Sequence, residues 1–208
     1  MRKIYLVRHG ETESNHSSRI QGQADIKLNE TGLAQARQVG EFFKTIPVRA
    51  VYSSPLSRAL VTAQAIAGGK NLPVQTLDGL KEIALGEWVG FNREEINARW
   101  PHGWETYFEN PLQAMVPGGE TILEVKERAL KALQVILQEA PEGDLVIVAH
   151  AGSIRALIFG LLKIDFNNFW HLRIRNASTS CFTVENGKFY LEYTNLHYYL
   201  QDSLKTDV

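Results

Sequence analysis

The chain reads as an α/β protein of three layers, with a mostly parallel central sheet, flanking helices and an irregular cap at about 81–117. Three observations predict this class. Short apolar runs alternate with helical patterns along the 208 residues, which favours α/β order. Two of those runs, Lys3–Val7 and Asp144–Ala149, are nearly continuous in apolar residues, as strands buried on both faces are. The stretch between Lys81 and Pro117 breaks the alternation with tryptophans, glutamates, glycines and prolines.

In order, Lys3–Val7 is the first strand, running into Arg8-His9-Gly10, where the glycine allows a tight turn. A polar loop follows from Glu11 to Asn29, long enough to be read as functional. Within it Glu11 and Glu13 read as solvated carboxylates. Thr31 then caps a helix reaching about Phe43, apolar at Leu33, Ala36, Val39 and Phe43. Ala50–Ser53 is a second strand. Pro55 and Ser57 open a helix that Gly68-Gly69 closes, and Val74–Leu77 is a third strand. After the cap, Ile122, Val125, Ala129, Leu133, Ile136 and Ala140 step by three and four along a helix starting at Thr121. The Asp144–Ala149 strand, a helix from Ser153 to Leu162 and a hairpin complete the chain. Asn186-Gly187 is the hairpin's turn signal, between Ser178–Glu185 and Phe189–Asn195.

Length and composition bound the function. The chain is read as one domain, 1–208, large enough to bury about 70% of its unfolded surface. It is 44% hydrophobic and 22% charged, with net charge −1, which gives no support to a nucleic-acid partner. No run approaches the ~20 apolar residues of a membrane span. Arg8 interrupts the first apolar run too early for a signal peptide. The lone Cys181 cannot form an internal disulfide and reads as a buried, inert strand residue. A cytoplasmic location is expected.

The chemistry gathers at strand ends. Arg8 and His9 follow the first strand, Arg58 opens the helix after the second, and His150 follows the Asp144–Ala149 strand. In a parallel sheet the C-terminal edge is where ligands bind. Two guanidiniums and two imidazoles there make a cage for a tetrahedral dianion, since arginine binds phosphate bidentately and keeps its charge. An arginine at a helix start opposes the helix dipole unless an anion shares the site. No Cys-x-x-Cys, His-Glu-x-x-His or acidic cluster argues for a metal, and no cofactor is implied. His16, His102, His171 and His197 read as surface or packing residues.

These residues sit inside longer motifs. Leu6-Val7-Arg8-His9-Gly10-Glu11-Thr12 is followed by Asn15, Gln21-Gly22 and Leu28-Asn29-Glu30-Thr31-Gly32. Tyr52 to Arg58, Lys81-Glu82-Ile83, Pro117 to Thr121, and Val148-Ala149-His150-Ala151-Gly152 continue in order. This series resembles the histidine phosphatase superfamily (phosphoglycerate-mutase-like) over nearly the whole chain. The resemblance implies roles position by position. His9 would be the nucleophile that becomes phosphohistidine, with Arg8, Arg58 and His150 holding the phosphoryl group. Glu82 would be the proton donor to the leaving oxygen and then the base for water. Asn15, Gln21, Gly22 and the Ala151 backbone would add polar contacts. A neutral His9 needs its other ring nitrogen oriented, and a backbone carbonyl in the loop after Gly10 is the expected partner.

Within the family, the short span from Glu82 to Gly118 and the lack of an aromatic before Asn15 favour a metal-independent phosphatase of the broad-specificity, α-ribazole or phosphoserine type. Leu85 stands where the phosphoserine type has histidine. The expected partner is a small-molecule phosphate monoester; a homodimer stays open. A cofactor-dependent phosphoglycerate mutase and a non-catalytic binding relative are the alternatives. The 81–111 stretch carries three basic residues (Lys81, Arg93, Arg99) against six glutamates (Glu82, Glu87, Glu94, Glu95, Glu105, Glu109). A site roofed by it would disfavour bisphosphates, and Leu85 would suit a neutral or aromatic leaving group.

Overall fold

The computed structural model describes residues 1–206. Its strands are β1 (Arg2–Arg8), β2 (Val48–Ser53), β3 (Val74–Thr76), β4 (Asp144–Ala149), β5 (Thr179–Glu185) and β6 (Lys188–Leu196). They form one sheet in the order β3-β2-β4-β1-β5-β6. β1 to β4 run parallel, and the β5–β6 hairpin joins β1 antiparallel.

Alternate strand residues feed two cores. Ile4, Leu6, Tyr52, Leu145 and Ile147 pack on one face with α6 (Ile122–Glu139), α7 (Ala151–Leu162) and the cap. Tyr5, Val7, Val51, Val146 and Val148 pack on the other with α2 (Glu30–Phe43) and α3 (Ser57–Gly68). Period-two side chains on a doubly covered sheet require apolar residues at nearly every position, which is what β1 and β4 carry.

The topology locates the ligand site. The chain leaves β1 toward β2 on one side, and leaves β4 toward β5 on the other, although β1 and β4 are neighbours. Connections that diverge from adjacent strands open a crevice at their C-terminal ends. His9 and His150 are the first residues beyond those two ends.

Several local expectations shift. The loop after β1 contains one helical turn, α1 (Glu13–His16), closed by reciprocal capping between Thr12 and Asn15. Asn29, not Thr31, caps α2: its Oδ1 accepts from the Gly32 amide while its Nδ2 donates to Glu11. Glu11 is therefore buried rather than solvated, at 2% exposure; Glu13 is exposed. Gly10 has no positive φ. It is glycine because the Gly32 carbonyl lies 2.4 Å from where a Cβ would stand. Close backbone approach, not turn conformation, sets that residue.

The cap is partly helical, with a 3₁₀ turn at Gly86–Trp88, then α4 (Arg93–Arg99) and α5 (Gly103–Glu109). Trp88 is fully buried at its centre, against Trp100, Trp104 and Tyr107. Cys181 is buried as expected, and burial pushes its thiol up to about 11. Among the described residues no helix is long and apolar enough to cross a membrane.

Candidate active site

β1 delivers His9 with its backbone pinned on both sides: the His9 amide donates to the Ala149 carbonyl, and the Ala177 amide donates to the His9 carbonyl. Its Nδ1 donates to the Gly10 carbonyl at 2.6 Å. A carbonyl can only accept, so the proton is on Nδ1 and Nε2 carries a free lone pair. The orienting carbonyl is that of Gly10 itself, one residue nearer than the sequence led one to expect. Burial, reinforced by Arg58 and Arg8, holds the imidazole well below the usual histidine range. His9 is neutral at neutral pH and 2% exposed.

The two arginines are aimed by backbone carbonyls. Arg8 Nη1 donates to Ile174 O at 2.7 Å. Arg58, 1% exposed, donates from Nη1 to Ala24 O and from Nη2 to Gly22 O. The loop between β1 and α2 thus folds over α3 and fixes Arg58. The anion expected at the start of α3 comes from the protein: Asp25 accepts the Ser57 amide at 2.7 Å. Burial lowers Arg8 to about 10, with Arg155 and Arg58 adding to the effect and Glu82 opposing it. Crowded cations in a desolvated cleft form a strong anion site.

His150 is fully buried, its ring 5.0 Å from that of His9. Its Nε2 bonds Ser54 Oγ at 2.8 Å, and its Nδ1 meets no protein partner. Burial, with Arg58, His9 and Arg8, also holds this imidazole low. In the free protein His150 is a neutral hydrogen-bonding group, not a second cation.

Glu82 reaches the site from the cap's base. Its carboxylate accepts the Gly152 amide at 3.0 Å and the Ile83 amide at 2.9 Å. α7 starts at Ala151, two residues before the sequence placed it, because the turn after β4 enters the helix directly. Gly152 therefore presents a first-turn amide, and a Cβ there would lie 2.4 Å from Glu82 Oε1. Arg128 holds the strip beneath, donating to the carbonyls of Gly79, Lys81 and Glu82. Glu120 anchors Arg128 at 2.6 Å and accepts the Ala84 amide.

These groups meet in one cavity, lined also by Asn15, Gln21, Gly22, Leu85 and Ala151. Asn15 Oδ1 accepts from Thr12 and Asn176, which turns its NH₂ toward other partners. Gln21 Oε1 is buried with no protein partner. All ten residues singled out in the sequence converge; His150 alone lies behind the wall rather than on it.

Comparison with known proteins agrees with this geometry. Residues 4–197 match the model of the histidine phosphatase superfamily (branch 1). The chain belongs to the histidine phosphatase superfamily. Phosphoserine phosphatase 1 of Hydrogenobacter thermophilus is 35% identical over 185 residues, 89% of this chain and 88% of that protein. The solved structure of Bacillus stearothermophilus YhfR superposes with a TM-score of 0.91 at 28% identity, covering 96% of this chain and 99% of that one. A mutant phosphoserine phosphatase from Entamoeba histolytica, solved with phosphoserine, superposes at 0.84 with 32% identity, over 97% and 100% of the two chains.

Some members of the site were not legible as site residues. Arg155, Tyr107, Phe108 and Trp170 line the outer cavity. Ser54 and Asn176 support the inner one. Arg155 was within reach of sequence reasoning: it lies one helical turn beyond Ala151, so the two share a face of α7. Trp170 and Asn176 carry no such local signal. Among the described residues no three His, Cys, Asp or Glu side chains converge as metal ligands.

Proposed function

We propose that this protein hydrolyses small phosphate monoesters in two steps through His9, without a metal ion. The observation that carries the reading is the free Nε2 lone pair of a neutral, buried His9 in a cavity lined by arginines. In the first step Nε2 attacks phosphorus, the ester P–O bond breaks, and Glu82 in its acid form protonates the leaving oxygen. In the second, water attacks phosphorus, Glu82 takes its proton, and the N–P bond breaks to release phosphate. Arg8 and Arg58 hold the phosphoryl oxygens. A bound dianion raises the proton affinity of His150, which backs the cradle from behind the wall through its bond to Ser54. Asn15, Gln21, Gly22 and the Ala151 amide complete the cradle, and Leu85 flanks the leaving group. A loose phosphoryl-transfer transition state needs positioning and charge, and this arrangement supplies both.

Rapid quench with ³²P-labelled substrate tests the reading. Label should be trapped on the wild type as an acid-labile, base-stable adduct, and none on His9→Ala. Turnover should persist in EDTA. Label on the His9→Ala protein would overturn the nucleophile; activity lost in EDTA and restored by a divalent cation would overturn metal independence.

A further inference from the structure

Arg58 and Glu82 come from distant parts of the chain, and one short turn is bonded to both. The Ala24 amide donates to Gln21 O, which closes the turn, and Gly22 takes a positive φ within it. The carbonyls on either side of Gln23 face Arg58: Gly22 O accepts from Nη2 at 2.8 Å and Ala24 O from Nη1 at 2.7 Å. The turn also lies against the strip that carries Glu82. A Cβ on Gly22 would stand 3.1 Å from the Leu85 nitrogen and 3.3 Å from the Ile83 carbonyl oxygen. Glycine meets both demands, the left-handed backbone and the close approach.

Gln23, at the centre of this turn, is half-buried and stands outside the cavity wall. Its Nε2 donates to Glu82 O at 2.9 Å and to Glu120 Oε2 at 3.3 Å. Both partners can only accept, which sets the orientation of the amide. The same two oxygens take Arg128, whose Nη2 donates to Glu82 O and to Glu120 Oε2. With Nε on Glu120 Oε1, and Nη1 on Gly79 O and Lys81 O, Arg128 has placed all five of its N–H groups. That network fixes the strip to α6. Gln23 fixes it to the loop that holds Arg58.

We propose that Gln23 is a positioning residue for proton transfer, holding the Glu82 strip at a set distance from the Arg58 that binds the phosphoryl group. The inference rests on the two-step reading, in which Glu82 is the leaving-group acid, and adds a side chain that touches neither substrate nor phosphate. An acid must lie within hydrogen-bond reach of the leaving oxygen. The place of that oxygen is set by the phosphoryl group on Arg8 and Arg58. The amides of Ile83 and Gly152 hold the Glu82 carboxylate itself; Gln23 holds the backbone from which it hangs. A reacting group misplaced by about 1 Å loses roughly 10²-fold in rate. Gln23 shares the support of that backbone with Arg128, so its removal should cost a part of this.

The test follows single-turnover transfer of label to His9 by rapid quench, from glycerol phosphate as the poor leaving group and nitrophenyl phosphate as the good one. Gln23→Leu keeps the bulk and removes both donors. It should slow transfer from glycerol phosphate roughly tenfold and from nitrophenyl phosphate less than about twofold, with half-saturation unmoved for both. Gln23→Lys can still donate to both oxygens and should recover most of the rate. Gln23→Glu has the same shape, no donors and a charge facing Glu120; it should lose at least as much, and it carries the comparison if the leucine variant does not fold. In a Glu82→Gln background Gln23→Leu should add nothing, because a residue that acts through the acid is silent once the acid is gone. Equal slowing of both esters by Gln23→Leu, or independent losses in the double variant, would overturn the positioning role while Glu82→Gln still sorts the esters. A Glu82→Gln protein that does not sort them would break the acid reading and this role with it.

Discussion

The inner cage and the outer cavity are built in different ways. The cage side chains stand at or just past strand ends, are nearly inaccessible, and are aimed by backbone carbonyls: Gly10 for His9, Ile174 for Arg8, Gly22 and Ala24 for Arg58. The outer wall rests largely on ring contacts, with Tyr107, Phe108 and Trp170 touching one another and Arg155 against Trp170, beside two bonds to backbone carbonyls, Arg155 to Leu172 and Trp170 to Tyr107. Backbone-aimed groups cannot drift without breaking the sheet edge. Ring contacts can be exchanged. The cage is thus suited to one unvarying chemical step, and the outer wall to the choice of substrate.

The strongest way to break this contrast is Glu82→Gln. It should slow esters with poor leaving groups by roughly 10²–10⁴-fold and activated aryl esters far less, because a good leaving group needs little proton donation. An equal drop on both would remove Glu82 from the acid's role.

Gly152→Ala sharpens the comparison from the backbone side. The added Cβ would fall 2.4 Å from Glu82 Oε1 and 2.5 Å from Ile83 Cγ1. The carboxylate must move, and a displacement near 1 Å costs about 10²-fold. The loss should appear in kcat for poor leaving groups while the His9 adduct still forms from an aryl phosphate. Unchanged kcat would show that the amide contact does not position Glu82.

The smallest effect concerns stability. His9 and His150 are held below their unfolded value of 6.5. The unfolded chain then binds more protons, so stability is full above pH 6.5 and falls as pH drops below it, until the folded values are reached. Each histidine contributes a slope of up to about 1.4 kcal/mol per pH unit. Melting curves between pH 7 and 5 should show the fall, and His9→Asn combined with His150→Asn should flatten it. An unaltered slope in the double variant would mean that the cage is wetter than its burial implies.

Reading residues in order reached some of this and not the rest. The strand runs at β1 and β4 and their polar ends were visible because burial on both faces leaves an unbroken apolar pattern, and the first break marks the sheet edge. The bounds of α2 and α7 moved by two residues: Asn29 caps α2 while bonding the distant Glu11, and α7 begins directly at the turn after β4, where its first-turn Gly152 amide meets the distant Glu82. Glu11 itself looked solvated because nothing local announces a hydrogen bond from Asn29.

By itself, then, the sequence determined the α/β class, the convergence of Arg8, His9, Arg58 and His150 on one edge, and the family. The class and the convergence follow from local periodicity and from the rule that parallel strands present their C-terminal ends together, and the family from the resemblance of the spaced motifs. Tertiary structure alone decided the tautomer of His9, the neutrality of His150 and the meeting of Arg155 with Tyr107 and Trp170. Those depend on desolvation and on which distant segments pack together, and neither quantity is written in any local window of residues.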